Sequence, residues 1–199
     1  MQNHDHLSNN KYNMSQEQNE LYEKIAIADD KLYKACKIGN VNDIDLAIND
    51  GAIDVDRGLF GACKKGHMEI VKMMIDKGAT DFLIGLDGSV RNNNFEIFKM
   101  MADNVIVKSK NQNDDEVDFG DGWEIACTEG KYDFVKYMIK NNARKSAFDF
   151  GLSEAAGGGH LNVLKLLLDK GASDIEWALN MAECGQQHEI IQYLKLIKK

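Results

Sequence analysis

The chain has 199 residues, 44% of them hydrophobic, with 32 acidic against 24 basic side chains and a formal net charge of −8. That length fits one elongated domain, and the negative balance argues against a general attraction to nucleic acid or an anionic membrane. No apolar run approaches the ~20 residues of a membrane span, and the polar first 19 residues hold no apolar core of a secretory signal, so a cytoplasmic location is expected.

Residues 1–14 are polar and are expected to form a disordered tail, on which His4 and His6 read as solvated side chains. Ser15 with Gln18 has the spacing of a capping box, and Leu21, Tyr22, Ile25 and Ala26 come next at helical intervals. Residues 15–29 are therefore expected to form a lone helix that caps the remainder of the chain.

From residue 30 onward the chain is repetitive. In residues 59–79, LFGACKKGHMEIVKMMIDKGA, the pattern predicts one helix up to Lys65 and a second over residues 68–77, with Gly66 and Gly78 as left-handed stops. Small residues that admit close helix approach recur at Ala35, Ala62, Ser89, Ala126, Ala155 and Ala182, at intervals of 27, 27, 37, 29 and 27. Four positions further on stand Gly39, Gly66, Asn93, Gly130, Gly159 and Gln186, of which all but Gln186 readily take a left-handed turn. The stop after the second helix recurs as Gly51, Gly78, Asn142 and Gly171. A helical hairpin this short cannot bury its own apolar face, so six copies at a near-constant period predict a solenoid of stacked helix pairs. The repeats fall near residues 30–56, 57–83, 84–120, 121–149, 150–175 and 176–199.

The copies differ in informative ways. Repeat one carries Asp43 where the others have an apolar residue, which suits an end unit. Repeat three is the weakest, with Val105 where a closing glycine is expected. The extra length after it, residues 107–121, holds Asp114, Asp115, Glu116, Asp118 and Asp121. Their spacing does not match a calcium loop, so a solvated, extended finger is expected there and no metal. Repeat six has outward Lys195 and ends in Lys198 and Lys199, as a wet terminal cap would. Cys36, Cys63 and Cys127 stand just after the small residue of their repeats at an inward position, too far apart for disulfides. Glu69/Lys72, Glu96/Lys99 and Asp133/Lys136 line the outer face as modest ion pairs.

GACKKGHMEIVKMMIDKGA and EAAGGGHLNVLKLLLDKGA resemble the helical part of an ankyrin repeat, through Gly66–His67, Gly159–His160 and the Ile/Val-Val/Leu-Lys run after each. The resemblance covers residues 30–199 and implies an all-α, ankyrin-type solenoid of about six stacked helix-turn-helix repeats with short finger loops. The opening Thr-Pro-Leu-His segment of that family is absent, and the period is shorter than the usual ~33 residues, so trimmed fingers are expected. Gly58–Leu59, Gly85–Leu86 and Gly151–Leu152 resemble openings in the short-repeat ankyrin proteins of giant DNA viruses of amoebae. That likeness implies a viral protein acting in host cytoplasm on a host factor.

No catalytic constellation emerges. His67 and His160 sit at inter-helix turns, where their rings can bond neighbouring backbone. Ser153 and Glu154 have no histidine partner, and Gly157-Gly158-Gly159 lacks the Lys and Ser/Thr of a phosphate loop. A non-enzyme without cofactor or metal is expected. The resemblance implies a monomeric protein-binding scaffold that uses its concave face, mapped here onto Lys37, Ile38, Lys64, Lys65, Arg91, Asn92, Thr128 and Glu129, with Gly157 and Gly158 continuing the strip. The strip is basic in the first three repeats and turns acidic at Glu124, Glu129 and Glu154. Phe60, Phe82, Phe119, Trp123, Phe148, Phe150 and Trp177 border it or pack inside. An acidic, partly apolar protein segment is the expected partner. Nucleic acid bound along Lys37, Lys64, Lys65 and Arg91 is the alternative.

Overall fold

The computed structural model describes residues 16–198. Among these residues there are twelve α-helices and one short 3-10 turn, Lys145–Ala147, and no strand beyond a single isolated bridge. The helices form six consecutive hairpins. The first pairs α1 (Gln16–Ile38) with α2 (Val41–Asn49), the second α3 (Val55–Lys65) with α4 (Met68–Asp76), and the third α5 (Phe82–Arg91) with α6 (Phe95–Asn111). Then come α7 (Asp121–Thr128) with α8 (Tyr132–Lys140), α9 (Phe148–Gly158) with α10 (Leu161–Asp169), and α11 (Ile175–Cys184) with α12 (His188–Ile197). First helices pack in series, α1 on α3 on α5 on α7 on α9 on α11, while each second helix lies against its own hairpin. This is a helical repeat fold.

The repeating core comes from the 3.6-residue period. The four inner second helices bury two adjacent residues and one further along the same face: Ile70, Val71 and Met74; Ile97, Phe98 and Met101; Phe134, Val135 and Met138; Val163, Leu164 and Leu167. In α2 only Ile44 and Ala47 are buried, and Asp43 faces out. On the first helices the six small residues are all buried. Four positions before them, Gly58, Gly85, Gly122 and Gly151 make room for neighbouring side chains. A Cβ there would meet Met74 Sδ at 2.9 Å and Met101 Sδ at 2.6 Å, from the second helix of the same hairpin, and Leu86 Cδ2 and Cys127 Sγ (the latter at 2.9 Å), from the preceding first helix. Cys36, Cys63 and Cys127 are free, buried packing residues: burial pushes the Cys36 and Cys63 thiols up to about 12, and Cys127 higher still.

Every first helix ends the same way. The N–H five residues after the small residue bonds its carbonyl, from Asn40 to Ala35 through Gln187 to Ala182, at 2.8–3.1 Å. That 6→1 closure needs a left-handed residue just before it. All six positions have it, including Gln186 at φ +56°. The sixth turn thus holds a residue poorly suited to it. The Gln187 amide helps fix the turn by donating to the Gly157 carbonyl at 3.2 Å.

The fingers are tied by carboxylates. Asp29 Oδ1 accepts from the backbone N–H of Ile53 and Asp54, Asp56 from Thr80 and Asp81, and Asp149 from Ser173 and Asp174. Each clasp joins a first helix, in its first turn at Asp56 and Asp149 and midway along α1 at Asp29, to the finger of the next repeat. Leu83 occupies the equivalent place in repeat three, so that clasp is missing there.

Two expectations are corrected. The separate capping helix does not exist: residues 26–31, Ala-Ile-Ala-Asp-Asp-Lys, contain no glycine or proline, so α1 runs unbroken from Gln16 into the first hairpin. Its early turns do not cover the end of the stack, because Leu21 and Tyr22 are 57% and 61% exposed. The extended finger at residues 107–121 is also largely absent. With Val105 in place of glycine, and with Ala102, Val105 and Ile106 continuing the buried stripe, α6 runs on to Asn111. The left-handed stop falls at Asn113, eight residues beyond position 105. Val117 and Phe119 in the remaining loop are buried, and Val117 forms a parallel bridge with Ala143, donating to Asn142 at 2.8 Å and accepting from Arg144 at 3.0 Å. The expected tail, with His4 and His6, and the Ser15 end of the capping box lie outside the described residues.

Relieving the left-handed glutamine by Gln186→Gly is expected to stabilise the protein by about 1 kcal/mol in denaturant unfolding. Leu167→Ala, in the core, should cost about 2–5 kcal/mol, whereas Lys72→Ala on the exposed face should stay within ~0.5 kcal/mol. Equal losses at Leu167 and Lys72 would contradict the helix faces described.

Candidate functional site

Because first helices stack side by side, the positions two before and two after each buried small residue lie one turn apart along a common exposed edge. In repeats one to four these pairs are Tyr33 and Lys37, Phe60 and Lys64, Asp87 and Arg91, and Glu124 and Thr128. The first two pairs form an aromatic and cationic ladder. The rings of Tyr33 and Phe60 lie 6.4 Å apart and nearly parallel, at 12°. Lys37 Nζ is 5.8 Å from the Tyr33 ring centre, Lys64 Nζ 5.3 Å from that of Phe60, and the Arg57 guanidinium 5.2 Å from that of Tyr33. Glycines seat the rings. A Cβ at Gly61 would come within 2.9 Å of the Tyr33 carbonyl oxygen and 3.1 Å of its ring, and one at Gly88 within 3.2 Å of the Phe60 ring.

Further along, the edge changes character. Arg91 Nε pairs with Asp87 at 2.7 Å. Thr128 Oγ1 shares its hydrogen between the Glu124 carbonyl at 2.9 Å and the Glu154 carboxylate at 3.0 Å. Phe150 and Trp177 meet at 5.8 Å, with Trp177 38% exposed.

Of the eight residues singled out from sequence, Lys37, Lys64, Arg91 and Thr128 stand at these edge positions, and Ile38, Lys65, Asn92 and Glu129 each follow one of them. Lys37 and Ile38 end α1, Lys64 and Lys65 end α3, Arg91 ends α5 with Asn92 as its cap, and Thr128 ends α7 with Glu129 as its cap. Lys37 and Lys64 are half-buried and the other six are exposed, Ile38 most prominently at 72%. The bordering aromatics divide. Phe119, Trp123 and Phe148 are core, Trp123 stacking on Phe148 at 5.4 Å and donating to the Ala147 carbonyl at 3.1 Å. Phe60, Phe82 and Phe150 are half-buried. Sequence reasoning missed Tyr33 and Arg57. The available signal was the 27-residue echo that places Tyr33 and Phe60 in adjacent copies of one position.

The backbone beneath the edge is held from the next repeat. His67 Nε2 donates to the Lys37 carbonyl at 3.2 Å, and His160 Nε2 to the Thr128 carbonyl at 2.8 Å. A carbonyl only accepts, so both rings carry the proton on Nε2. These bonds satisfy helix-end carbonyls that α1 and α7 leave unpaired.

A second concavity lies on the outer face. An open groove of about 690 Å³ between the start of α6 and α8 is floored by Phe95, Tyr132 and Tyr137 and edged by Lys131, Lys136 and Lys140. Phe95 meets Tyr137 edge-on at 5.9 Å, and Lys136 Nζ stands 5.8 Å from the Tyr132 ring centre. The Tyr137 hydroxyl donates to Asp103. Desolvation, then the bond to Asp103 and its charge, push this phenol up to about 12.

Two groups that the sequence offered for chemistry are engaged in local bonds. Ser153 is buried and donates to the Phe150 carbonyl at 2.7 Å. Asp118 of the acidic loop pairs with Arg144 at 3.0 Å and accepts from the Gly120 N–H at 2.9 Å. Among the described residues no three His, Cys, Asp or Glu side chains gather as metal ligands, and no helix is long and apolar enough to cross a membrane.

No model of a known protein family matches the chain, and no curated protein matches it.

The folded protein holds the Tyr137 proton more tightly than a free phenol with its pKa of about 10. Its contribution to stability is therefore present below pH 10 and lost as the pH rises toward 12. A difference spectrum between wild type and Tyr137→Phe should show the missing phenolate absorbance emerging only near pH 12. Emergence near pH 10 would contradict the bond to Asp103.

Proposed function

We propose that the chain is a non-catalytic ankyrin-type scaffold that captures an acidic, partly apolar segment of a partner protein along its first-helix edge. The observation that carries this reading is the ladder in which Tyr33 stacks on Phe60 while Lys37, Lys64 and Arg57 lie against the rings. Ring faces offer apolar contact area and the cations attract carboxylates. Gly61 and Gly88 hold the rings in place before any partner arrives, so little ordering cost falls on binding. The ankyrin assignment is supported by the hairpin stack, the left-handed glycines and the turn histidines. In the setting that the viral resemblance implies, the partner is a host protein in the host cytoplasm.

Nucleic acid on the same basic residues has weaker support. Arg91 is neutralised by Asp87, and the chain carries a net charge of −8.

The test is affinity capture from host-cell lysate with the wild type, a Lys64→Glu/Lys65→Glu/Arg91→Glu variant and a Tyr33→Ala variant. A discrete protein retained by wild type and lost from both variants is the expected result. Retention that ignores the substitutions would overturn the edge as the binding surface. Retention of nucleic acid alone, falling steeply with salt, would favour the other reading.

A further inference from the structure

The core-facing stripe of α1 runs beyond the core. Leu32 and Ala28 are buried, Ile25 is half-buried, and Leu21, one turn earlier on the same face, is 57% exposed. Tyr22 beside it is 61% exposed. Residues 16–26 thus extend about 16 Å past the first hairpin as a continuous helix with an exposed apolar side. Three glutamates, Glu17, Glu20 and Glu23, accompany one lysine, Lys24, on this projection. The outer groove has the opposite balance, with Lys131, Lys136 and Lys140 against Asp133. Its aromatic floor suits leucine and tyrosine side chains, and its volume of about 690 Å³ has room for both.

We infer that a second copy of this chain inserts the projecting end of its α1 into the outer groove between α6 and α8. The two surfaces match in apolar content and are opposite in charge, which is the helix-in-groove mode with an acidic helix. They cannot meet within one chain. The groove sits at the third and fourth hairpins, while α1 belongs to the first and has no break that would let it turn back. Each copy offers one projection and one groove, so exchange can close a reciprocal pair or continue head to tail. Lys131 is engaged with Glu129 at 3.4 Å, which leaves Lys136 and Lys140 as the cations to test. This association departs from the monomer expected from sequence and does not depend on the first-helix edge.

The experiment is sedimentation velocity on the full chain at increasing concentration, in low and high salt. The expected result is a weight-average mass that rises from one chain toward two or more, less so in high salt. Glu17→Lys/Glu20→Lys and Lys136→Glu/Lys140→Glu should each remain single chains, and mixing the two variants should restore association by re-pairing opposite charges. All four side chains are solvent-accessible, so both variants should keep the wild-type helical signal and unfolding midpoint. A wild type that stays a single chain at every concentration would overturn the inference. So would variants that associate as wild type does, or a mixture of folded variants that fails to associate.

Discussion

The constraint on which this architecture rests is the distance between neighbouring first helices. Each must come near enough for one hairpin to complete the core of the next, because a hairpin of two short helices has too little apolar surface to stand alone. Close approach is obtained by removing atoms. Ala or Ser sits at the contact, and glycine stands one turn before it in repeats two to five. Thiols fill the small volumes between the helices at Cys36, Cys63 and Cys127. The same spacing brings the edge residues of adjacent repeats into register. Tyr33 reaches Phe60 only because Gly61 and Gly88 carry no side chain, so the candidate binding surface is a by-product of the packing that holds the stack.

Polar bonds then lock what packing brings together. The carboxylate clasps at Asp29, Asp56 and Asp149 hold the finger side of the stack, and His67, His160 and Gln187 hold the opposite side. Both devices use an exposed or half-exposed group to satisfy backbone that the short helices leave unpaired. Their net contribution per bond is about 0.5–1.5 kcal/mol for neutral groups and somewhat more for carboxylates. Their greater effect is orientation, since two bonds at opposite ends of a helix fix its angle to the next.

Much of this was legible in the amino-acid order because the same local problem is solved repeatedly. The small residues, the left-handed stops and the buried faces of α4, α6, α8 and α10 all recur in phase. What was not legible lies where one solution replaces another. Nothing local forbids α1 from extending, and a capping-box pattern near Ser15 suggested a boundary that an alanine-rich junction does not make. At Val105 the missing glycine is visible, but not that it lengthens α6 by two turns, because an absent stop does not say where the next one falls. Gln186 takes a left-handed turn because the surrounding closure demands it, a case of tertiary context overriding residue preference. The Tyr33 stack required knowing which residues of adjacent copies meet, and periodicity alone does not say how deep a ring lies.

The joint between the third and fourth hairpins differs from all the others. Leu83 takes the place of a clasping aspartate, as Gly120 does at the next joint, α5 and α7 have the least extensive contact of any neighbouring first helices, and α6 is lengthened here alone among the second helices. In a chain whose stability passes only from neighbour to neighbour, the weakest coupling decides how far an opening spreads. At this joint the coupling runs through the second helices instead: Phe95 and Phe98 of α6 meet Phe134 and Tyr137 of α8, and the Tyr137 hydroxyl reaches Asp103. The third and fourth hairpins are thus held together along the outer face of the stack, away from the first-helix edge.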